Sequence, residues 1–212
     1  MTLRLNGSTS GYVEIDAPAT AGSNTLVLPN GNGTNGQYLQ TAGDGVLSWA
    51  TVSTSNLTRG TEVASTSGTA IDFTGLPSTV RILTILLDNV STNGNGRLLI
   101  QIGDSGGIET TGYTSHATLV YQSGYSEFSF TTGYGSNWPS VAGDRRGVIR
   151  LFNMSGNKWI CQGLHTGKDG ANEGTVQMAG SKTLSDTLTQ VRITNTDGDT
   201  FDQGAINIMY EV

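Results

Sequence analysis

No stretch of ten or more residues in this chain carries apolar side chains at the 3.6-residue spacing of an amphipathic helix. Short runs of alternating polar and apolar residues recur instead, broken roughly every 8–14 residues by clusters of Gly, Asn and Ser, the pattern of strands joined by tight turns. Composition points the same way. Thr, Ser, Gly and Asn make up close to half of the chain, and charged residues are 13%, about half the usual ~25%. Small uncharged residues favour turns and strand faces and give helices little support. The predicted fold class is all-β.

The 212 residues allow one domain with an appendage, or two small domains. Residues 1–30 offer three short strands, Thr2–Leu5, Tyr12–Asp16 and Thr25–Leu28, with too few large apolar residues to enclose a core. The Ser/Thr/Asn stretch 53–60 reads as a linker between residues 1–52 and a domain over 61–212. In that domain Arg81-Ile82-Leu83-Thr84-Ile85-Leu86-Leu87-Asp88 is the most apolar strand, and Asn93-Gly94-Asn95-Gly96 after it predicts a hairpin from 80 to 103. Short strands at this spacing point to a β-sandwich of jelly-roll type. The irregular Gly/Tyr-rich stretches 104–117 and 133–146 read as long loops.

Several partners are excluded as expectations. The net charge is −6, and only Arg145, Arg146 and Arg150 cluster, beside Asp144, so there is no basic stripe for nucleic acid. The single Cys161 rules out an internal disulfide framework and reads as a small buried residue. Neither a signal peptide nor an apolar run long enough for a membrane helix is visible, so folding in the cytosol without membrane insertion is expected.

Residues 31–52 form the most distinctive stretch. Strand Gln37–Thr41, the turn Ala42-Gly43-Asp44-Gly45 and strand Val46–Val52 predict a β-hairpin, with Leu47 and Trp49 on one face. A lone hairpin is at best marginal in water. Tyr38, Leu39, Leu47 and Trp49 therefore need a covering surface, for which identical chains are the nearest candidate. The pattern Gly-Gln-Tyr-Leu-Gln-Thr…Gly…Gly-Val-Leu-Ser-Trp, preceded by Thr25-Leu26-Val27-Leu28-Pro29, resembles a segment found in phage tail fibres and related virion proteins, cyanophage ones especially. The resemblance covers residues 1–52 well, and Ile100–Tyr113 and Arg192–Val212 more loosely. It implies a homotrimer in the virion tail, attached to other tail or baseplate proteins through residues 1–52. It also implies a distal domain that binds a host surface glycan or protein. A fibre or decoration protein on the capsid would use the same modules.

Chemistry-bearing motifs are weak. Gly103-Asp104-Ser105-Gly106-Gly107 matches the nucleophile motif of chymotrypsin-like proteases, but that family needs His and Asp upstream, and His116 and His165 both lie downstream. Asp197-Gly198-Asp199-Thr200-Phe201-Asp202 resembles half of a cation loop without the closing acid, and reads as a hairpin turn. Glu109, Glu127 and Glu173 lack the pairing that a polysaccharide-degrading tailspike would need. Sequons beginning at Asn6, Asn32, Asn56, Asn89 and Asn153 follow from composition. No enzyme activity, cofactor or metal is expected. The candidate receptor-contact residues are Tyr113, Tyr134, Asn137 and Trp138, aromatic and amide groups in the two long loops, which suit stacking on sugar rings and bonding to hydroxyls.

Overall fold

The computed structural model describes residues 3–52, 56–139, 141, 143–169 and 172–212, and every regular element among them is a strand. The chain divides into two compact units, Met1–Thr54 and Ser55–Val212.

Unit 1 consists of two hairpins. Strands β1 (Leu3–Asn6) and β2 (Tyr12–Ile15) pair antiparallel, as do β3 (Gln37–Thr41) and β4 (Leu47–Thr51). Gly11, at φ 78, supplies the left-handed residue that closes the first turn, and Gly7 N–H donates to the Gly11 carbonyl at 2.9 Å. The predicted strand 25–28 shrinks to one parallel bridge, Val27 to Val46.

Unit 2 holds β5 (Leu57–Arg59), β6 (Val63–Ala64), β7 (Ile71–Thr74), β8 (Ile82–Thr92), β9 (Leu98–Asp104), β10 (Gly107–Ile108) and β11 (Thr114–Tyr121). They are followed by β12 (Gly124–Phe130), β13 (Tyr134–Gly135), β14 (Asp144–Ser155), β15 (Lys158–Asp169), β16 (Asn172–Thr183), β17 (Gln190–Asn195) and β18 (Phe201–Glu211). Nine strands make one antiparallel sheet in the order β12-β11-β16-β15-β14-β8-β18-β5, with β6 also on β18. One sheet curls into a half-barrel. A five-stranded sheet runs β10-β9-β17-β7, with β13 on β9. Of the predicted linker, 53–55 lies outside the described residues, while Leu57–Arg59 is a strand paired with Met209–Glu211.

Both sheets feed one core. Alternate positions point inward from the large sheet: Leu83, Ile85 and Leu87 from β8, Ile149 and Leu151 from β14, Val176 and Met178 from β16. Ile71, Phe73, Val191 and Ile193 come from the small sheet. β9 is buried at every residue, on both faces. The core draws on no described residue before Ile71.

The predicted hairpin over 80–103 does not form. β8 pairs with β14 and β18, and β9 with β17, β10 and β13, so the Asn93–Gly96 turn carries the chain from one sheet to the other. Asp197-Gly198 is likewise no hairpin turn, because β17 and β18 belong to different sheets. Local turn chemistry reverses a chain without choosing the sheet in which it continues. The two crossings lie against each other: Gly96 N–H donates to Asp199 Oδ2 at 2.7 Å, and Asn93 N–H to the Thr200 carbonyl at 2.9 Å. A Cβ on Gly94 would overlap the Asp199 carboxylate, so that turn needs its glycine for close approach.

Candidate assembly and attachment surfaces

In β1–β2 the register places Leu3 opposite Ile15 and Leu5 opposite Val13, so four aliphatic side chains share one face. All four are more than half exposed, at 55–66%. The opposite face is self-contained: Arg4 lies 3.8 Å from Glu14 and stacks 3.5 Å over the Tyr12 ring.

The second hairpin brings together three of the four residues predicted to seek a partner. Leu39 sits opposite Trp49 and Leu47 opposite Thr41 on one face, while Tyr38, opposite Ala50, lies on the other. Trp49 is fixed by its indole N–H donating to the Gly31 carbonyl at 2.8 Å and by the ring lying against Gly33. Tyr38, Leu39 and Trp49 are exposed, and Leu47 is half-buried.

The predicted receptor-contact residues are core residues. Tyr113, Tyr134, Asn137 and Trp138 are 3%, 0%, 2% and 4% exposed, which corrects their assignment to surface loops. Tyr113 and Tyr134 meet edge to face at 5.1 Å. Tyr134 O–H donates to the Trp159 carbonyl at 3.1 Å, and Tyr113 O–H to the Glu109 carbonyl at 2.9 Å. Burial pushes both phenols above their ordinary pKa. Asn137 Nδ2 donates to the Ser126 carbonyl at 3.0 Å. Trp138 lies on the cross-strand pair Gly167–Gly174, whose missing side chains leave a flat seat for the indole.

Arg145 holds this stretch inside. It is fully buried, and its guanidinium donates to the carbonyls of Trp138 (2.7 Å), Gly143 (3.2 Å), Val90 (3.4 Å) and Gly96 (3.4 Å). Burial lowers its pKa to about 10, against the opposing pull of Asp202, Asp144 and Asp199, and it stays charged at neutral pH. Beside it, Ser136 Oγ and His165 Nε2 lie 2.6 Å apart. Burial, with Arg145 nearby, drops the His165 pKa to about 4, so the ring is neutral at pH 7. Both side chains are sealed from solvent.

Register partners define the two ends of unit 2. Leu57, Glu211, Ile82, Phe152, Ile160, Ser181 and Thr114 form one row across the large sheet. The chain enters unit 2 on this row, and we call this end the base. At the opposite end, the tip, Val90, Arg145, Gly167, Gly174, Tyr121 and Gly124 form the matching row. The two stretches predicted to be long loops separate accordingly. Residues 105–113 lie at the base, tied down by the Lys182–Glu109 ion pair and by Ser185 Oγ donating to Asp104 (2.6 Å) and Glu109 (2.8 Å). At the tip, Val141 N–H donates to Asn95 Oδ1 at 3.1 Å.

The chemistry-bearing motifs resolve into structure. Asp104 of the protease-like pentapeptide accepts from Gly106 N–H at 2.8 Å and closes its own turn. Among the described residues no group of three or more His, Cys, Asp or Glu is placed to hold a metal. Cys161 is buried, which raises its thiol pKa. His116, exposed on the outer sheet face, lies 4.0 Å from Glu127 on the neighbouring strand. No protein-family model, curated protein or solved structure matches the chain.

Proposed function

We propose that this chain is a non-enzymatic virion fibre protein of the phage tail, a homotrimer in which residues 1–52 assemble and attach and unit 2, a jelly-roll-like sandwich, meets the host surface. One observation carries this reading: unit 1 leaves its aliphatic faces bare. Burying Leu3, Leu5, Val13 and Ile15 is worth roughly 1.5–3 kcal/mol each, more than a four-residue hairpin gains from its own bonds. Copies of the same chain supply identical faces without a second gene product. The resemblance of residues 1–52 to fibre segments supports the setting, and the sealed Ser–His pair fits a binding role better than a catalytic one.

Host contact is assigned to the tip of unit 2, the end opposite the point where the chain comes in, rather than to the buried aromatics. Sedimentation equilibrium of the full chain tests the assembly. The expected mass is three times 22.2 kDa. A monomer at micromolar concentration with its full β signature overturns the reading.

A further inference from the structure

The dipeptide Asn-Gly occurs six times in the chain, beginning at Asn6, Asn30, Asn32, Asn35, Asn93 and Asn95. Its backbone nitrogen can react with its own side chain. The glycine nitrogen attacks the asparagine Cγ, ammonia leaves, and a five-membered imide closes. One water then opens the ring to aspartate or to iso-aspartate, in which the main chain runs through the former side chain. Glycine favours the step because it carries no Cβ beside the attacking nitrogen and bends the backbone readily. Ring closure asks two things of the fold: a side-chain amide free to turn, and a glycine N–H free to lose its proton.

The fold sorts these six identical dipeptides into two sets. Asn93 and Asn95 are held where the chain crosses between sheets. Asn93 Oδ1 accepts from Thr200 N–H at 2.9 Å, Asn95 Oδ1 accepts from Val141 N–H at 3.1 Å, and Gly96 N–H donates to Asp199 Oδ2 at 2.7 Å. After Asn6, Gly7 N–H donates to the Gly11 carbonyl at 2.9 Å. The other three fall together in residues 30–36. Asn30, Asn32 and Asn35 are exposed. Neither their side-chain amides nor the N–H groups of Gly31, Gly33 and Gly36 hydrogen-bond to any described residue. Asn35 and Gly36 form the corner of a turn that Gln37 N–H closes on the Thr34 carbonyl at 3.2 Å, with Gly36 at φ 84. This same stretch seats Trp49, through the Gly31 carbonyl that accepts from its indole and through Gly33 against its ring.

We propose that residues 30–36 are a self-modification site, where Asn30, Asn32 and Asn35 convert to aspartate and iso-aspartate with water as the only co-reactant, and that conversion frees Trp49. An iso-aspartate at position 30 or 32 lengthens the main chain next to Gly31 or Gly33 and shifts those glycines away from the ring. Each conversion also adds a negative charge close in sequence to the exposed Leu28 and Tyr38. The inference goes beyond the assembly reading and does not depend on it.

The test ages the folded full chain in mildly alkaline buffer and maps the converted asparagines by peptide mass spectrometry, with the chain in denaturant as the reference. Asn30, Asn32 and Asn35 are expected to convert at least about tenfold faster than Asn93 and Asn95 in the folded chain, a gap that closes in denaturant. Iodide quenching of fluorescence reads Trp49 selectively, since Trp138 and Trp159 are buried. Quenching should rise in step with conversion, and should stay constant in a variant carrying Asn30→Gln, Asn32→Gln and Asn35→Gln, whose longer side chains close the ring far more slowly. These positions are exposed and make no hydrogen bonds among the described residues, so the variant keeps the fold. Conversion at 30–36 no faster than at Asn93 and Asn95 overturns the proposal. So does conversion without a change in quenching, or an equal rise in quenching in the glutamine variant.

Discussion

The indole of Trp138 occupies the volume that side chains on Gly167 and Gly174 would fill, and its backbone carbonyl is gripped by Arg145. Tyr134 packs edge to face on Tyr113 and bonds to strand β15. Replacing such a ring by Ala costs about 3–5 kcal/mol, and 1 kcal/mol moves the melting point of a domain this size by roughly 2–4 °C. Tyr134→Ala with Trp138→Ala should therefore lower the melting temperature by more than about 10 °C in a thermal scan, and a near-unchanged value would place both rings outside the core. These residues look like loop residues because Gly133-Tyr134-Gly135-Ser136-Asn137-Trp138 has turn composition and no alternation. What makes the stretch a core segment lies elsewhere in the chain: glycines at positions 167 and 174, which face inward only once β15 and β16 are paired in register, and the buried guanidinium of Arg145. Arg145 itself reads in sequence as part of a surface basic cluster, since an arginine that will bond only to carbonyls leaves no local signature. Cys161, by contrast, was legible, because a strand flanked by Trp159 and Ile160 leaves a small residue little choice but burial.

Hairpins divide into those the sequence can specify and those it cannot. β1–β2 and β3–β4 are local, each closed by a glycine turn, and alternation alone places Leu47 with Trp49. The strand after Asn93–Gly96 is not local in the same sense, since β9 lies between partners from residues 107–108, 134–135 and 190–195. A strand buried on both faces has lost the alternation that would reveal its sheet, so the crossing could not be read before the fold was known. The exposed face of β1–β2 yields a direct expectation. Leu5→Asp combined with Val13→Asp puts two opposed carboxylates into the cross-strand pair at the centre of the aliphatic face. The variant should sediment as a monomer while unit 2 keeps its melting temperature, because no residue of the hairpin belongs to the core. A variant that remains trimeric would move the assembly surface to another part of the chain.

Across unit 2, the separation of base and tip turns the host-contact proposal into a geometric one. Ser105 stands exposed in the β9–β10 turn at the base, and Ser123 stands exposed in the β11–β12 turn at the tip. With Cys161 buried, Ser105→Cys and Ser123→Cys can each be labelled selectively with a bulky maleimide. The label at Ser123 should abolish adsorption of particles to host cells, and the label at Ser105 should leave adsorption intact; the reverse result would exchange the roles of the two ends. The path by which the chain enters unit 2 has a mechanical side as well. Residues 57–65 run along β18 over its length: Leu57 pairs with Glu211, Gly60 N–H donates to the Ile208 carbonyl at 2.8 Å, Val63 pairs with Ile206, and Ser65 N–H donates to the Gly204 carbonyl at 2.8 Å. Ladder bonds of this kind lie across the strand direction. A pull on the incoming chain along that direction loads them together in shear instead of peeling them one at a time. A tether that carries a particle's drag while its tip holds a cell would be gripped by a clamp that yields all at once or not at all.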